Sequence, residues 1–373
     1  MLRLSAPSSG AEEVEAVAAV LATGHLTQGP KAAEFERLTA QYTSSAHAFA
    51  TSSATTGLHL ALVALGVRAG DEVVLTDYSF PATANVIAQL GAVPVFVDIQ
   101  LDDYGLNPDL LDAAITARTK AVMPVHAFGL PANMDPILEV AARHGIPVVE
   151  DAACALGAEY HGRQAGTLGD LGVFSYHPRK IITTGEGGMV LTDDEDLAAR
   201  IQVLRSHGAV RGSHYMSFVD AGFNYRMSDI NAAVGVVQMG RLDGVLAKRR
   251  ALAKAYDEAL AGVEKVSVPH VPSGRTHTYQ SYVVLLDEDV DRDAVIDQMR
   301  ARGIETTIGT YAMHLQPYFR STVGASDEQL PQATRAHFSA LTLPLHLGMS
   351  ENDVSMVAGA LAKSVLQSGR PAV

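Results

Sequence analysis

Gly172-Val173-Phe174-Ser175-Tyr176-His177-Pro178-Arg179-Lys180-Ile181-Ile182-Thr183-Thr184-Gly185-Glu186-Gly187-Gly188 runs from an apolar segment into a glycine-rich turn with one lysine inside it. Most lysines are solvated surface charges. One held between an apolar strand and a glycine turn can instead form an imine with an aldehyde cofactor. Upstream, Ile146-Pro147-Val148-Val149-Glu150-Asp151-Ala152-Ala153 is a second apolar run that ends in carboxylates. An aspartate at a strand end can hold a pyridinium nitrogen protonated. Together, Lys180 and Asp151 predict pyridoxal 5′-phosphate chemistry.

Working outward, short apolar runs alternate with helical stretches up to about residue 205: Ala46 to Thr51, Glu72 to Thr76, Val93 to Val97, Ala121 to Val125, Pro147 to Glu150, Leu171 to Ser175 and Met189 to Thr192. Continuous apolar strands between helices are what a mostly parallel sheet covered on both faces requires. The expected fold class is therefore α/β, a three-layer α/β/α domain followed by a small α+β domain. Ahead of the first strand, Ala11 to Thr23 predicts a helix with Val14, Val17, Ala18 and Leu21 on one face, and Lys31 to Tyr42 a second helix burying Phe35 and Leu38. Ala232 to Leu260 reads as a long helical region kinked near Gly240 or Gly244. Beyond it a strand is expected at Tyr279 to Asp287, then helices at Arg292 to Arg302 and Glu351 to Leu366. The domain boundary falls near 245, giving a large cofactor-binding domain over 1–245 with an N-terminal arm and a small domain over 246–373.

Composition narrows the function. The chain has 373 residues, 47% hydrophobic and 18% charged, which is globular and long enough to bury an active site. A net charge of −13 argues against a nucleic-acid partner, which would need clustered lysine and arginine. Cys154 is the only cysteine, excluding an internal disulfide framework and fitting a reducing compartment. No apolar run is long enough to span a bilayer, and the start lacks a signal-peptide core, so a cytoplasmic enzyme is expected. The histidines are scattered with no helical His-x-x-x-His pair beside acidic neighbours, so no metal site is expected.

Other motifs gather around the same chemistry. Thr51-Ser52-Ser53-Ala54-Thr55-Thr56-Gly57 follows a strand and opens a helix. Its hydroxyls either cap that helix or leave backbone N–H groups free for a phosphate at Ser53, Ala54 and Thr55. Phe80, in Asp77-Tyr78-Ser79-Phe80-Pro81, lies at the end of the next strand, where it stacks on a pyridine ring or packs in the core. Asp151 has a helix-capping alternative, and Glu150 points to the opposite face as a structural residue. Ser175 is placed to donate to a phosphate, and Glu186 to order the turn. Arg211, His214 and Tyr215 lie in a polar loop, Ser206 to Gly222, that either contacts a sugar diphosphate or is simply mobile.

Taken in order, Glu150-Asp151-Ala152-Ala153, Ser175-Tyr176-His177-Pro178-Arg179-Lys180, Thr184-Gly185-Glu186-Gly187-Gly188 and Gly222-Phe223-Asn224-Tyr225-Arg226 resemble the DegT/DnrJ/EryC1/StrS family of sugar aminotransferases, a fold type I group. The likeness runs from Gly24-His25-Leu26-Thr27-Gln28-Gly29-Pro30 to Leu343-Pro344-Leu345-His346. It implies that Lys180 is the Schiff-base lysine, Asp151 the ring-nitrogen partner and Phe80 the stacking aromatic. It also implies that Ala54, Thr55 and Ser175 hold the cofactor phosphate, with Asn224 reaching it from the second subunit of a homodimer with shared active sites. Tyr311 and His314 match a substrate-side loop, His314 having loop packing as its alternative. Two positions depart from the family pattern: Cys154 and Leu156 stand where Gln and His are usual, so a contact to the ring hydroxyl must be remade or lost. The phosphate signature reads Ser53-Ala54-Thr55 in place of Ser-Gly-Thr.

The resemblance implies transfer of an amino group from glutamate or glutamine to a nucleotide-linked keto-sugar. His59 and the run Lys120 to Glu150 are similar to members acting at C4 of a 4-keto-6-deoxy sugar, such as perosamine synthases. Relatives that deoxygenate carry His at the lysine position, so Lys180 favours amino transfer. A ketocyclitol acceptor in aminocyclitol biosynthesis is the alternative, and a cofactor-binding protein without turnover is a second.

Overall fold

The computed structural model describes residues 1–369. Its main sheet takes strands β1 (His47–Thr51), β2 (Glu72–Thr76), β3 (Val93–Val97), β4 (Thr119–Met123), β5 (Val149–Asp151), β6 (Leu171–Ser175) and β7 (Gly188–Thr192). A three-stranded ladder, β3-β2-β4, and a four-stranded one, β5-β6-β7-β1, join through parallel bridges Val122 to Val148 and Val125 to Asp151. Both β2 pairings and the β5–β6 pairing are parallel, while β7 runs antiparallel to β6 and β1. The reversal has a local cause: β6 returns as β7 through the lysine turn, without a crossover helix.

Alternation along the strands builds the three layers. Val73, Leu75, Ala121, Met123, Leu171 and Val173 meet the helices Ala54–Ala64, Pro81–Gln89 and Glu195–Leu204 on one face. Val74, Val122 and Val148 point the other way, onto the helix Met134–His144. Phe174, Met189 and Leu191 share that second side with Phe35 and Ala232, from the helices Pro30–Thr43 and Asp229–Met239.

The expected long helical region is two helices, Asp229–Met239 and Leu242–Leu260, broken at Gly240-Arg241, while Gly244 lies inside the second. The second helix leads to an antiparallel sheet of β8 (Val266–Ser267), β9 (Tyr282–Leu286), β10 (Thr307–Ile308) and β11 (Ala340–Leu343), ordered β8-β9-β11-β10. Leu252, Tyr256, Val284, Leu341 and Leu361 share its core with the helix Glu351–Gln367. The first residues of the chain run beside this unit: Leu2 N–H donates to Gly303 O at 2.7 Å and Leu345 N–H to Leu4 O at 3.1 Å.

The helix Ala11–Thr23 departs from its apolar pattern. Val14 and Leu21 are exposed, and the buried residues are Val20 and Glu13, whose carboxylate accepts from Gln238 Nε2 at 2.6 Å and from Arg241. Within one chain, these hydrogen bonds join the packing of Val20 in holding the helix against Asp229–Met239.

Gly188 fixes how closely the sheet approaches the Ser53 turn. A Cβ there would sit 2.5 Å from Ser53 O and 2.6 Å from Ala54 N, both backbone atoms that cannot move aside. Gly188→Ala is expected to destabilise the protein by about 1–3 kcal/mol, the usual cost of overpacking, measured by denaturant unfolding. An unchanged unfolding midpoint would show that the turn is not held against β7.

Candidate active site

Parallel strands deliver their carboxyl ends to one edge, where ligands of open α/β sheets gather. β1, β2, β5 and β6 all point the same way, so the Ser53 turn, Phe80, Asp151 and the Lys180 turn emerge along that edge.

The Lys180 turn is a closed loop. Tyr176 N–H donates to Gly187 O at 2.9 Å and Thr184 N–H to Tyr176 O at 3.0 Å, while Gly185 takes the positive φ of 83° that the turn needs. Asn231 Nδ2 ties Thr184 O down at 2.7 Å. Glu186 is exposed and contributes its carbonyl, which accepts from Thr184 Oγ1 at 2.8 Å. From this loop Lys180 Nζ reaches Cys154 Sγ at 3.1 Å, three residues beyond Asp151. Cys154, at the position where the resembling family usually has Gln, is thus a neighbour of the lysine amine. Partial burial lowers the pKa of His177, with Lys180 and Arg179 pushing the same way against Glu186.

Asp151 is buried and held from both sides: Oδ2 accepts from Thr83 Oγ1 at 2.6 Å, and Oδ1 accepts from Ala153 N–H at 3.2 Å. Glu150 faces the opposite side, fully buried, accepting from the N–H groups of Gly166, Leu168 and Gly169 at 2.8, 2.6 and 2.7 Å. His126 Nδ1 accepts from Ala132 N–H at 3.1 Å, so its Nε2 carries the proton and donates to Glu150 at 2.7 Å. Glu150 is a scaffold for the loop 166–169.

Ser53 caps the helix Ala54–Ala64, its Oγ accepting from Thr56 N–H at 3.1 Å, so the capping alternative holds for its hydroxyl. The N–H groups of Ala54 and Thr55 have no acceptor among the described residues. They point out of a helix start carrying roughly half a positive charge. Phe80 is 67% exposed, a ring with an open face and not a core aromatic. Ser175 is half-buried at the end of β6.

Asn224 is exposed on a segment that pairs with the strand leading into the Ser53 turn: Ser52 N–H donates to Tyr225 O at 2.8 Å, and Thr51 bridges to Arg226. His59 lies buried beneath that segment, edge-on to Phe223 at 5.1 Å and Tyr225 at 5.8 Å. Burial lowers its pKa, and its place is structural. Arg211, His214 and Tyr215 lie on an exposed hairpin whose strands are Ala209–Arg211 and Met216–Phe218.

Two substrate-side expectations separate. Tyr311 is partly exposed and pairs with Ser79, next to Phe80. His314 has no such access: it is 1% exposed, with Nδ1 on Asp77 at 2.7 Å and Nε2 on Thr334 Oγ1 at 3.1 Å. Both ring nitrogens are used, so His314 takes its packing alternative and fastens the segment 311–315 to the end of β2. Burial raises the Asp77 pKa, and the bonds from His314 only partly oppose it. Thr83 is a functional neighbour that the sequence reading missed; its place one turn after the strand-end aromatic Phe80 was the available signal.

No helix among the described residues is long and apolar enough to cross a membrane, and no group of three or more His, Cys, Asp or Glu residues there could hold a metal ion.

The model of the DegT/DnrJ/EryC1/StrS aminotransferase family matches residues 7–362. GDP-perosamine synthase of Caulobacter vibrioides is 44% identical over 331 residues, 88% of each chain. The aminotransferase TlmJ of Streptoalloteichus hindustanus has the same fold at a TM-score of 0.93 and 36% identity, over 98% of this chain and 99% of that one. Spr1654 of Streptococcus pneumoniae, solved in a PMP-form and a PLP-form, has a TM-score of 0.94 to each at 28% and 29% identity, over 98% of this chain and 100% and 99% of those chains. A match of this length makes the chain a member of the DegT/DnrJ/EryC1/StrS aminotransferase family.

Proposed function

We propose that this aminotransferase uses pyridoxal 5′-phosphate to move an amino group from glutamate or glutamine to a nucleotide-linked keto-sugar, at C4 of a 4-keto-6-deoxy sugar. One contact carries the proposal: Lys180 Nζ lies 3.1 Å from Cys154 Sγ, in the turn that Asp151 opens. Pyridoxal phosphate fits the residues around it. Two unpaired N–H groups suit its phosphate, an open aromatic face suits its ring, and a buried carboxylate suits its ring nitrogen. Once bound, it supplies an electron sink and a carbon that carries the nitrogen.

The chain's own groups do the rest. Lys180 would hold the cofactor, and its Nζ amine would be the base that accepts the proton from Cα of the amino donor. Asp151 keeps the ring nitrogen protonated. Ala54, Thr55 and Ser175 bind the phosphate, and Phe80 covers the ring. Asn224 reaches the phosphate of the second subunit, which makes a symmetric dimer the minimum unit. Its exposure supports that role, as does the apolar surface of the nearby hairpin, where Tyr215 is 75% and Phe218 69% exposed. Arg211, His214, Tyr215 and Tyr311 are the candidate sugar-nucleotide contacts. The C4 assignment takes its support from the 44% identity to a GDP-perosamine synthase.

Lys180→Ala is expected to lower the amino-donor half-reaction by roughly 10²- to 10⁴-fold, the range of a general base, and to remove the lysine-linked absorbance of the bound cofactor. Retention of both rules out the lysine assignment. Mixing inactive Lys180→Ala with inactive Asn224→Ala subunits should restore activity to about a quarter of wild type, as random pairing into dimers with shared sites dictates. No recovery after verified exchange places Asn224 in its own subunit's site. Assay of GDP- and dTDP-linked 4-keto-6-deoxy sugars against a ketoinositol tests the acceptor. Turnover of the ketoinositol alone overturns the sugar reading.

A further inference from the structure

Asp151 is backed by two buried hydroxyls. Thr83 Oγ1 donates to Asp151 Oδ2 at 2.6 Å, and Ser79 Oγ lies 2.7 Å from Thr83 Oγ1. A hydroxyl has one proton to give. Thr83 gives its proton to the carboxylate, so the second bond can form only if Ser79 donates to Thr83. The direction of the chain is therefore fixed, from Ser79 through Thr83 to Asp151. All three side chains are buried, Ser79 at 2% and Thr83 at 0% exposure, so water does not compete for them.

The relay is anchored at its far end as well. Ser79 pairs with Tyr311, and the preceding Tyr78 with Ala312, in a two-stranded ladder. Asp77, just before them, is clamped by His314 through its side chain at 2.7 Å and its backbone N–H at 2.9 Å. Ser79 is thus fixed by the segment 311–315, and Thr83 by the first turn of the helix Pro81–Gln89. Ala153 N–H on Oδ1 and Thr83 on Oδ2 leave the carboxylate little freedom to rotate.

We propose that Thr83, supported by Ser79, is the positioning residue that fixes the rotation of the Asp151 carboxylate and so keeps the ring nitrogen of the cofactor protonated. This rests on the assignment of Asp151 to that nitrogen. Hydrogen bonds to charged groups are about twice as strong as neutral ones, and a lost one leaves a buried carboxylate free to turn away.

The test uses holoenzyme loaded with pyridoxal phosphate labelled with ¹⁵N in the ring, read by NMR for ring-nitrogen protonation, with the half-reaction rate measured alongside. Thr83→Val, which keeps the shape and removes the donor, should shift the ring signal toward neutral pyridine and slow the half-reaction roughly 10- to 100-fold. Thr83→Ser should restore both. Ser79→Ala should give a smaller shift in the same direction, and it decides the matter if Thr83→Val does not fold. A protonated ring with a rate within about twofold of wild type in Thr83→Val, or no shift at all in Ser79→Ala, overturns the proposal. Asp151→Asn separates the two levels. If it too leaves the ring protonated, the assignment of Asp151 has failed; if it alone deprotonates the ring, only the role of Thr83 has.

Discussion

One geometric constraint organises the protein: four strands of a common direction end at the same edge of one sheet. Parallel pairing places the end of β5 beside the end of β6, and the antiparallel β7 returns the chain so that β1 ends there too. The Ser53 and Lys180 turns, separated by more than a hundred residues, come to the same edge because backbone hydrogen bonds hold their strands in register. Gly188 tightens this further, letting β7 lie directly against the backbone of the Ser53 turn.

Around that edge the polar groups divide into two classes. Some are fully satisfied and act as scaffold: Glu150 with three N–H donors and His126, His314 with Asp77 and Thr334, Ser53 with Thr56. Buried polar groups are stable only when paired in this way. Others retain free capacity, above all the N–H groups of Ala54 and Thr55. The division between spent and available hydrogen-bonding capacity separates framework from candidate binding surface more cleanly than residue type does. Two histidines marked at the level of sequence, His59 and His314, fall on the framework side.

Much of the fold was legible because apolar periodicity is a local property. The seven strands of the main sheet lie within a few residues of the apolar runs, and the break at Gly240 falls where a glycine interrupts a helical pattern. The Lys180 turn and the Asp151 strand end were legible for the same reason, each being a strand followed by its own punctuation. The pattern misled at the helix Ala11–Thr23, because an apolar stripe says that a face is fit for burial without saying what covers it. Within one chain Val14 and Leu21 stay exposed while Glu13 is buried by Gln238 and Arg241.

The sequence by itself determined the strands, the helices and the two strand-end turns that carry Lys180 and Asp151, since each is encoded within a dozen neighbouring positions. Only the tertiary structure decided which polar groups are already spent and which remain open. Thr83 meets Asp151 across 68 positions of chain and His314 meets Asp77 across 237, and pairings of that kind follow from packing alone. A hydroxyl or an imidazole has the same intrinsic chemistry wherever it stands, so its role is fixed by the partner that folding brings within three ångströms.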